Sequence, residues 1–226
     1  MHLVIGKKIL TNVILITGFI AAILYSSWPL GYFLNPIIAR QDYASELESA
    51  HQPYNWLFIA LDILTGVVLI IVGIIQWRRT NRLTFRLSIV GYELFAVLVI
   101  AAAIAPFNCN SITQNCVALA DQPAFIVHGF SSIFSVVFLF GSLVLLCKVL
   151  YERHAIKLLV MVGVVVILWG MTGLYALYQL EIGVKSNLIQ YIFITICSIS
   201  IALAVGLIDY MSKDIEEAVK RLDFGD

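Results

Sequence analysis

Apolar residues occur along this chain in long runs that are separated by short polar segments. The runs lie at about residues 9–33, 55–77, 84–106, 123–148, 156–179 and 187–210. A helix rises about 1.5 Å per residue and crosses a ~30 Å hydrocarbon core with roughly 20 apolar residues, so each run is long enough to span a membrane. A membrane β-strand would alternate polar and apolar positions, and these runs do not. The pattern predicts an all-α, integral membrane bundle of six transmembrane helices.

The composition of the chain agrees with a membrane protein. Of its 226 residues, 61% are hydrophobic and 12% are charged, whereas soluble domains contain roughly 45–50% apolar and about 25% charged residues. A water-soluble fold could not bury so much apolar surface. The first run is longer than the roughly 7–15 apolar residues of a signal peptide, so we expect it to be retained as a helix.

The positive charges predict how the bundle is oriented. If the N-terminus is cytoplasmic, all of the 14 Lys and Arg residues lie on the cytoplasmic side except Arg40 and Lys185. Positive residues near helix ends stay cytoplasmic, so both termini are expected there, in the plasma membrane of a prokaryotic cell. Residues 1–211 would form the transmembrane domain, and 212–226 a short amphipathic cytoplasmic tail. The expected partners are membrane lipids, and the few basic residues of the tail argue against nucleic acid.

Four cysteines fall into two groups. Cys109 and Cys116 lie in the predicted second outer loop, where an oxidising environment would allow a disulfide bond. Cys147 and Cys197 lie within predicted helices and are expected to be free thiols. The alternative for the outer pair is two unpaired cysteines.

Ionisable residues inside the predicted spans indicate a candidate site. Asp62 lies about 10 Å below the outer start of the second helix, and His128 lies ~6–8 Å below that of the fourth, at 1.5 Å per residue. The two side chains therefore share a level. Ser131, Ser132 and Ser135 follow His128 at i+3, i+4 and i+7, so they extend the same helix face. These stripes predict a polar pocket that opens outward.

Three interpretations of this pocket stay open. It binds a lipid or a small polar ligand; it holds zinc as a metal-dependent hydrolase at the outer face; or Asp62 and His128 form a buried structural pair in an accessory subunit. No metal is assigned, because no compact motif such as H-E-x-x-H is present, although zinc would suit His51, His128 and Asp62. The predicted ligand-binding residues are Asp62, His128, Ser131, Ser132, Glu46 and His51.

The stretch LGYFLNPIIARQDYASELESAHQPYNWLFIALDILTG, from Leu30 to Gly66, resembles the prokaryotic membrane family catalogued as domain of unknown function 998. In that family a Ser-Glu-Leu loop precedes a helix of the type W-L-F-x(4)-D-x-L-x-G, and a His-Gly begins the fourth helix. The order Pro106-Phe107 departs from the Phe-Pro of the family. The matching residues here are Ser45, Glu46, Leu47, Trp56, Leu57, Phe58, Asp62, Gly66, Asp121, His128 and Gly129.

More remotely, the chain is similar to the eukaryotic Frag-type membrane proteins that act in lipid-anchor maturation. That resemblance implies a lipid-related role at the outer face, by analogy only, since a fold does not determine a function. Ceramidase-like membrane hydrolases need three histidines, and His2 and His154 are predicted to be cytoplasmic. Enzyme activity is therefore left open.

Overall fold

The computed structural model describes residues 2–41, 44–50, 52–106, 123–181 and 187–223. Within these ranges the ordered elements are helical and no strand occurs. Short 3-10 helices span Trp28–Leu30 and Ala44–Glu48. The α-helices are α1 (His2–Tyr25), α2 (Gly31–Leu34), α3 (Pro36–Gln41), α4 (Asn55–Arg79), α5 (Leu83–Ile104), α6 (Pro123–Glu152), α7 (Ile156–Glu181) and α8 (Asn187–Asp223).

Six segments of the described chain are helical, long and apolar enough to cross a membrane. They are Asn12–Leu34, Asn55–Arg79, Leu83–Ile104, Pro123–Glu152, Ile156–Tyr175 and Leu188–Ile208. These segments confirm the predicted all-α bundle of six spans. The first span is not one continuous helix, because α1 ends at Tyr25 and a 3-10 turn follows. Pro29 lies in that turn, and proline lacks the N–H that an uninterrupted α-helix would need there.

Helix α8 is the central helix of the bundle. It packs against α1, α4, α5, α6 and α7, which follow one another around it as neighbours. In an apolar stretch of 18 residues within its span, 56% of the residues are buried inside the bundle, whereas only 6% are in the corresponding stretch of α7. Helix α7 is therefore the most peripheral of the spans, and its contacts are confined mainly to α6 and α8. At its C-terminal end, α8 continues without interruption to Asp223, so residues 212–223 prolong the last helix.

Small and polar residues bring the helices together. Ser88 on α5 and Ser142 on α6 exchange hydrogen bonds, with 2.9 Å between the two hydroxyl oxygens and 2.8 Å from the Ser142 hydroxyl to the Ser88 carbonyl. The Tyr92 hydroxyl donates to Gln76 Oε1 at 2.5 Å, and Gln76 Nε2 donates to the Val205 carbonyl at 2.8 Å. This second chain joins α5, α4 and α8. Such bonds satisfy groups that would otherwise be exposed to hydrocarbon without a partner.

The two ends of the bundle differ. At the end that we call the turn end, residues 80–82 join α4 to α5 and residues 153–155 join α6 to α7. At the opposite end, the loop end, α1 is connected to α4 through residues 26–54, which contain α2, α3 and both 3-10 helices. The elaborate connection therefore lies at the loop end, where α4, α6 and α8 begin.

Candidate functional site

The segment from Trp28 to Glu48, which we call the cap, is fastened to the start of α8. The Trp28 ring stacks on Tyr191, with ring centroids 4.4 Å apart and an angle of 14° between the planes. The Tyr191 hydroxyl donates to the Ala39 carbonyl at 2.7 Å. The backbone N–H of Ala44 donates to Gln190 Oε1 at 2.5 Å. These contacts hold the Ala44–Glu48 helix against the loop end of the bundle.

The cap places a second carboxyl group beside Asp62. Glu48 is buried, and its carboxyl group forms a hydrogen bond with that of Asp62 on α4. A carboxylate can only accept, so one of the two groups must carry a proton for this bond to exist. Burial raises the pKa of Glu48 to about 6, and the hydrogen bond with Asp62 opposes that rise. The two residues form an acid pair that shares a proton.

His128 is held by the backbone of α5. Its Nδ1 lies 3.0 Å from the carbonyl oxygen of Ala102, and the side chain is 4% exposed. Since a carbonyl only accepts, Nδ1 carries the hydrogen in this bond. Asp62 and His128 line one cavity, and Glu48 and Ala102 are hydrogen-bond partners that the sequence did not suggest.

A cavity of about 620 Å³ lies inside the bundle beneath the cap. Most of its wall is apolar, with aromatic side chains that include Tyr25, Trp28 and Phe58. None of the described residues that line it is Lys or Arg. A minority of the lining residues are polar or ionisable. Those able to orient a ligand include Glu48, Asp62, His128, Ser132, Ser135 and Gln190.

The predicted site residues are only partly brought together. Asp62, His128 and Ser132 line the cavity, whereas Ser131 and Glu46 are buried away from its wall. Glu48 was missed, although it is the carboxyl partner of Asp62. In a 3-10 helix, residues three apart lie on one face. Two of the three faces, Ala44 with Leu47 and Ser45 with Glu48, line the cavity, whereas the face of Glu46 does not. No motif in the sequence indicated that this segment is a 3-10 helix.

Three of the predicted residues lie outside the described part of the chain. They are His51, Cys109 and Cys116, so the disulfide bond and the role of His51 stay predictions. Cys147 and Cys197, by contrast, are free thiols. Among the described residues, no group of three His, Cys, Asp or Glu side chains is placed to hold a metal ion. The zinc hypothesis therefore depends on residues, such as His51, that lie outside the described part of the chain.

A family model described as "Protein of unknown function (DUF998)" matches residues 18–208. The chain belongs to the DUF998 family. No curated protein and no solved structure matches it. The DUF998 match contains every cavity-lining residue, because these residues extend from Tyr25 to Ile194. The cavity thus lies wholly within the region that matches the family model. The match also confirms the family resemblance that the sequence showed in the first loop, α4 and α6.

Proposed function

We propose that this multi-pass membrane protein binds a lipid or a small polar ligand in the cavity beneath the cap. The observation that carries the proposal is that three ionisable residues, Glu48, Asp62 and His128, line a cavity whose wall is mostly apolar, and that two of them, Glu48 and Asp62, are in direct contact. Ligand sites commonly occupy about 300–1,000 Å³, with mostly apolar walls and a few polar groups that set orientation. The volume of about 620 Å³ falls within that range.

A purely structural role accounts less well for this arrangement. An ionisable side chain inside a span costs about 2.5–3.5 kcal/mol on insertion scales, and a pair that only joined helices would be expected to be closely packed. Here the acid pair borders open space instead. Cap residues also line the cavity, and two hydrogen bonds and a stacked ring pair hold the cap against α8. Both features favour a binding site over a purely structural contact.

The proposal includes an orientation. The loop end faces the outside of a prokaryotic plasma membrane, and both termini are cytoplasmic. The distribution of Lys and Arg supports this orientation, because the short connections at the turn end are the basic ones. In an outer, oxidising compartment Cys109 and Cys116 would form a disulfide bond.

The test is to identify what the purified protein retains. Wild-type protein is purified in detergent without added lipid, and bound molecules are extracted and quantified by mass spectrometry. Ser132→Trp fills the cavity, whereas Val144→Trp places the same side chain on an exposed position of α6 outside it. We expect a ligand in the wild type and the Val144 variant that is lost from the Ser132 variant. Identical contents in all three proteins would contradict the proposal.

The same preparations test the two alternatives. A zinc-dependent hydrolase predicts stoichiometric metal that falls in His128→Ala, measured by elemental analysis. An accessory subunit predicts neither a retained ligand nor a metal. In that case the Ser132 and Val144 variants would differ from the wild type in stability alone, measured by thermal unfolding in detergent.

A further inference from the structure

We infer that the occupant of the cavity is a membrane lipid, whose hydrocarbon chain lies in the cleft between α6 and α7 and which enters sideways through that cleft. The inference rests on the proposed function and specifies the ligand class for the same site. It excludes a small water-soluble ligand, because such a ligand would not enter through an opening toward the hydrocarbon core.

The cavity wall is continuous with the outer surface of the bundle at this cleft. Ile133 and Val137 on α6 and Leu174 on α7 line the cavity, yet they are 63%, 53% and 70% exposed. In a membrane-spanning bundle, an exposed apolar side chain at this depth is in contact with lipid. The three residues therefore form a mouth that opens within the membrane.

Two glycines keep the α7 side of the mouth open. A Cβ atom added to Gly170 would meet no atom within 4 Å, and one added to Gly173 would first meet the Phe193 and Trp169 rings at 3.9 and 4.0 Å. Both glycines line the cavity. Since so little of α7 is buried in the bundle, a chain can lie along this helix without displacing packed side chains.

From the loop end toward the middle of the bundle, polar groups of the cavity wall come first and apolar groups follow. This is the order of the headgroup and the hydrocarbon chain in a lipid of one leaflet. From the loop end, His128 lies about 8 Å along α6 and Asp62 about 10 Å along α4, at 1.5 Å per residue. Ile133 and Val137 lie about 15 and 21 Å along α6 by the same rise. In a hydrocarbon core ~30 Å thick the second pair is near the midplane. A headgroup beside the acid pair would thus leave its chain directed into the cleft.

The first experiment compares large substitutions on one face of α7. Gly170→Trp fills the cleft, while Gly163→Trp lies seven residues earlier on nearly the same face, also in open space but outside the cavity. Cells expressing each protein are fed a fatty acid with a diazirine in its chain, so that every chain-bearing lipid becomes a photoprobe. After irradiation, cross-linked peptides are mapped and counted.

We expect cross-links at Ile133, Val137 and Leu174 to exceed those at Ile167, a lipid-facing residue of α7 that is 62% exposed but does not line the cavity. Gly170→Trp should lower them roughly tenfold, the ratio that corresponds to about 1.4 kcal/mol. Gly163→Trp should leave them unchanged. Cross-linking at the mouth that equals the Ile167 background would overturn the inference. Gly170→Leu replaces the Trp variant if the latter fails to fold.

Failure of this inference is distinguishable from failure of the proposed function. A retained ligand without a hydrocarbon chain would refute the lipid but leave the binding site intact. A retained lipid that is lost in Ser132→Trp and kept in Gly170→Trp would refute the cleft as its position. Wild-type protein that retains nothing would refute both.

Discussion

The acid pair beneath the cap makes the stability of this protein depend on pH in a predictable direction. Burial raises the pKa of Glu48 from an ordinary 4.5 to about 6. One pKa unit corresponds to about 1.4 kcal/mol, so the shift amounts to about 2 kcal/mol. Because the side chain is 7% exposed, little of this effect is screened by solvent.

The sign follows from the proton that the folded state retains. Below pH 4.5 the group is protonated in both the folded and the unfolded protein, and the folded state pays no ionisation cost. Between pH 4.5 and about 6 the unfolded chain ionises while the folded protein still holds its proton, so the free energy of unfolding falls as pH rises. Above about pH 6 the loss of about 2 kcal/mol is complete.

Glu48→Gln isolates this effect. Glutamine cannot ionise, but its amide oxygen can still accept a hydrogen bond from the Asp62 carboxyl group. The free energy of unfolding of the variant minus that of the wild type should therefore rise by about 2 kcal/mol between pH 4 and pH 7. The measurement is unfolding in mixed micelles by graded addition of a denaturing detergent, followed by circular dichroism. Taking the difference removes the contribution of titrating groups that do not interact with Glu48.

Glu152→Gln is the matched control. This residue lies at the turn end, 4.0 Å from Lys148 in an ion pair between largely exposed side chains. We expect the control to keep the pH dependence of the wild type. If the Glu48 and Glu152 variants show the same difference from the wild type at every pH, the acid pair does not hold its proton as the structure indicates.

Three further predictions concern packing and topology. Gly66→Ala would place Cβ 2.7 Å from the Ala96 carbonyl, and we expect a loss of about 1–3 kcal/mol in detergent unfolding that Gly163→Ala, in open space, does not show. Cys109 and Cys116 should be linked in unreduced protein, and mass analysis that finds two free thiols would refute this. Fusions to either terminus should report a cytoplasmic location; an external reporter at one end would contradict the orientation.

The parts of the fold that hydropathy determines could be predicted from the sequence. A span is a local property, because some 20 consecutive residues must each suit hydrocarbon. The six runs therefore coincide with the six helical segments to within a few residues. The break after Tyr25 was missed because the residues around Pro29 are as apolar as those of a helix. Backbone geometry ended that helix, and hydropathy carries no information about it.

The depth of the site residues was also predictable, whereas their partners were not. Depth follows from the number of residues between a side chain and the helix end, so the sequence predicts similar depths for Asp62 and His128, which both line the cavity. A partner depends on how each helix is rotated and on what covers the bundle. Here the covering segment is a 3-10 helix, whose three-residue period turns Glu48 toward Asp62 and Glu46 away. A difference of two positions along this short helix thus determines which acid lines the cavity.

The rotation of α6 about its own axis also determines which of its side chains form the cavity wall. His128, Ser132 and Ser135 lie four and three residues apart and point inward, while Ile133 and Val137, each offset by one or two positions, form the mouth. Rotating α6 by one residue, about 100°, would turn the serines to lipid and close the mouth with polar groups. The hydrogen bonds between Ser88 and Ser142 oppose this rotation, because they hold α6 against α5 further along the same helix. The serine contact toward the turn end therefore keeps the polar wall and the apolar mouth on their respective sides.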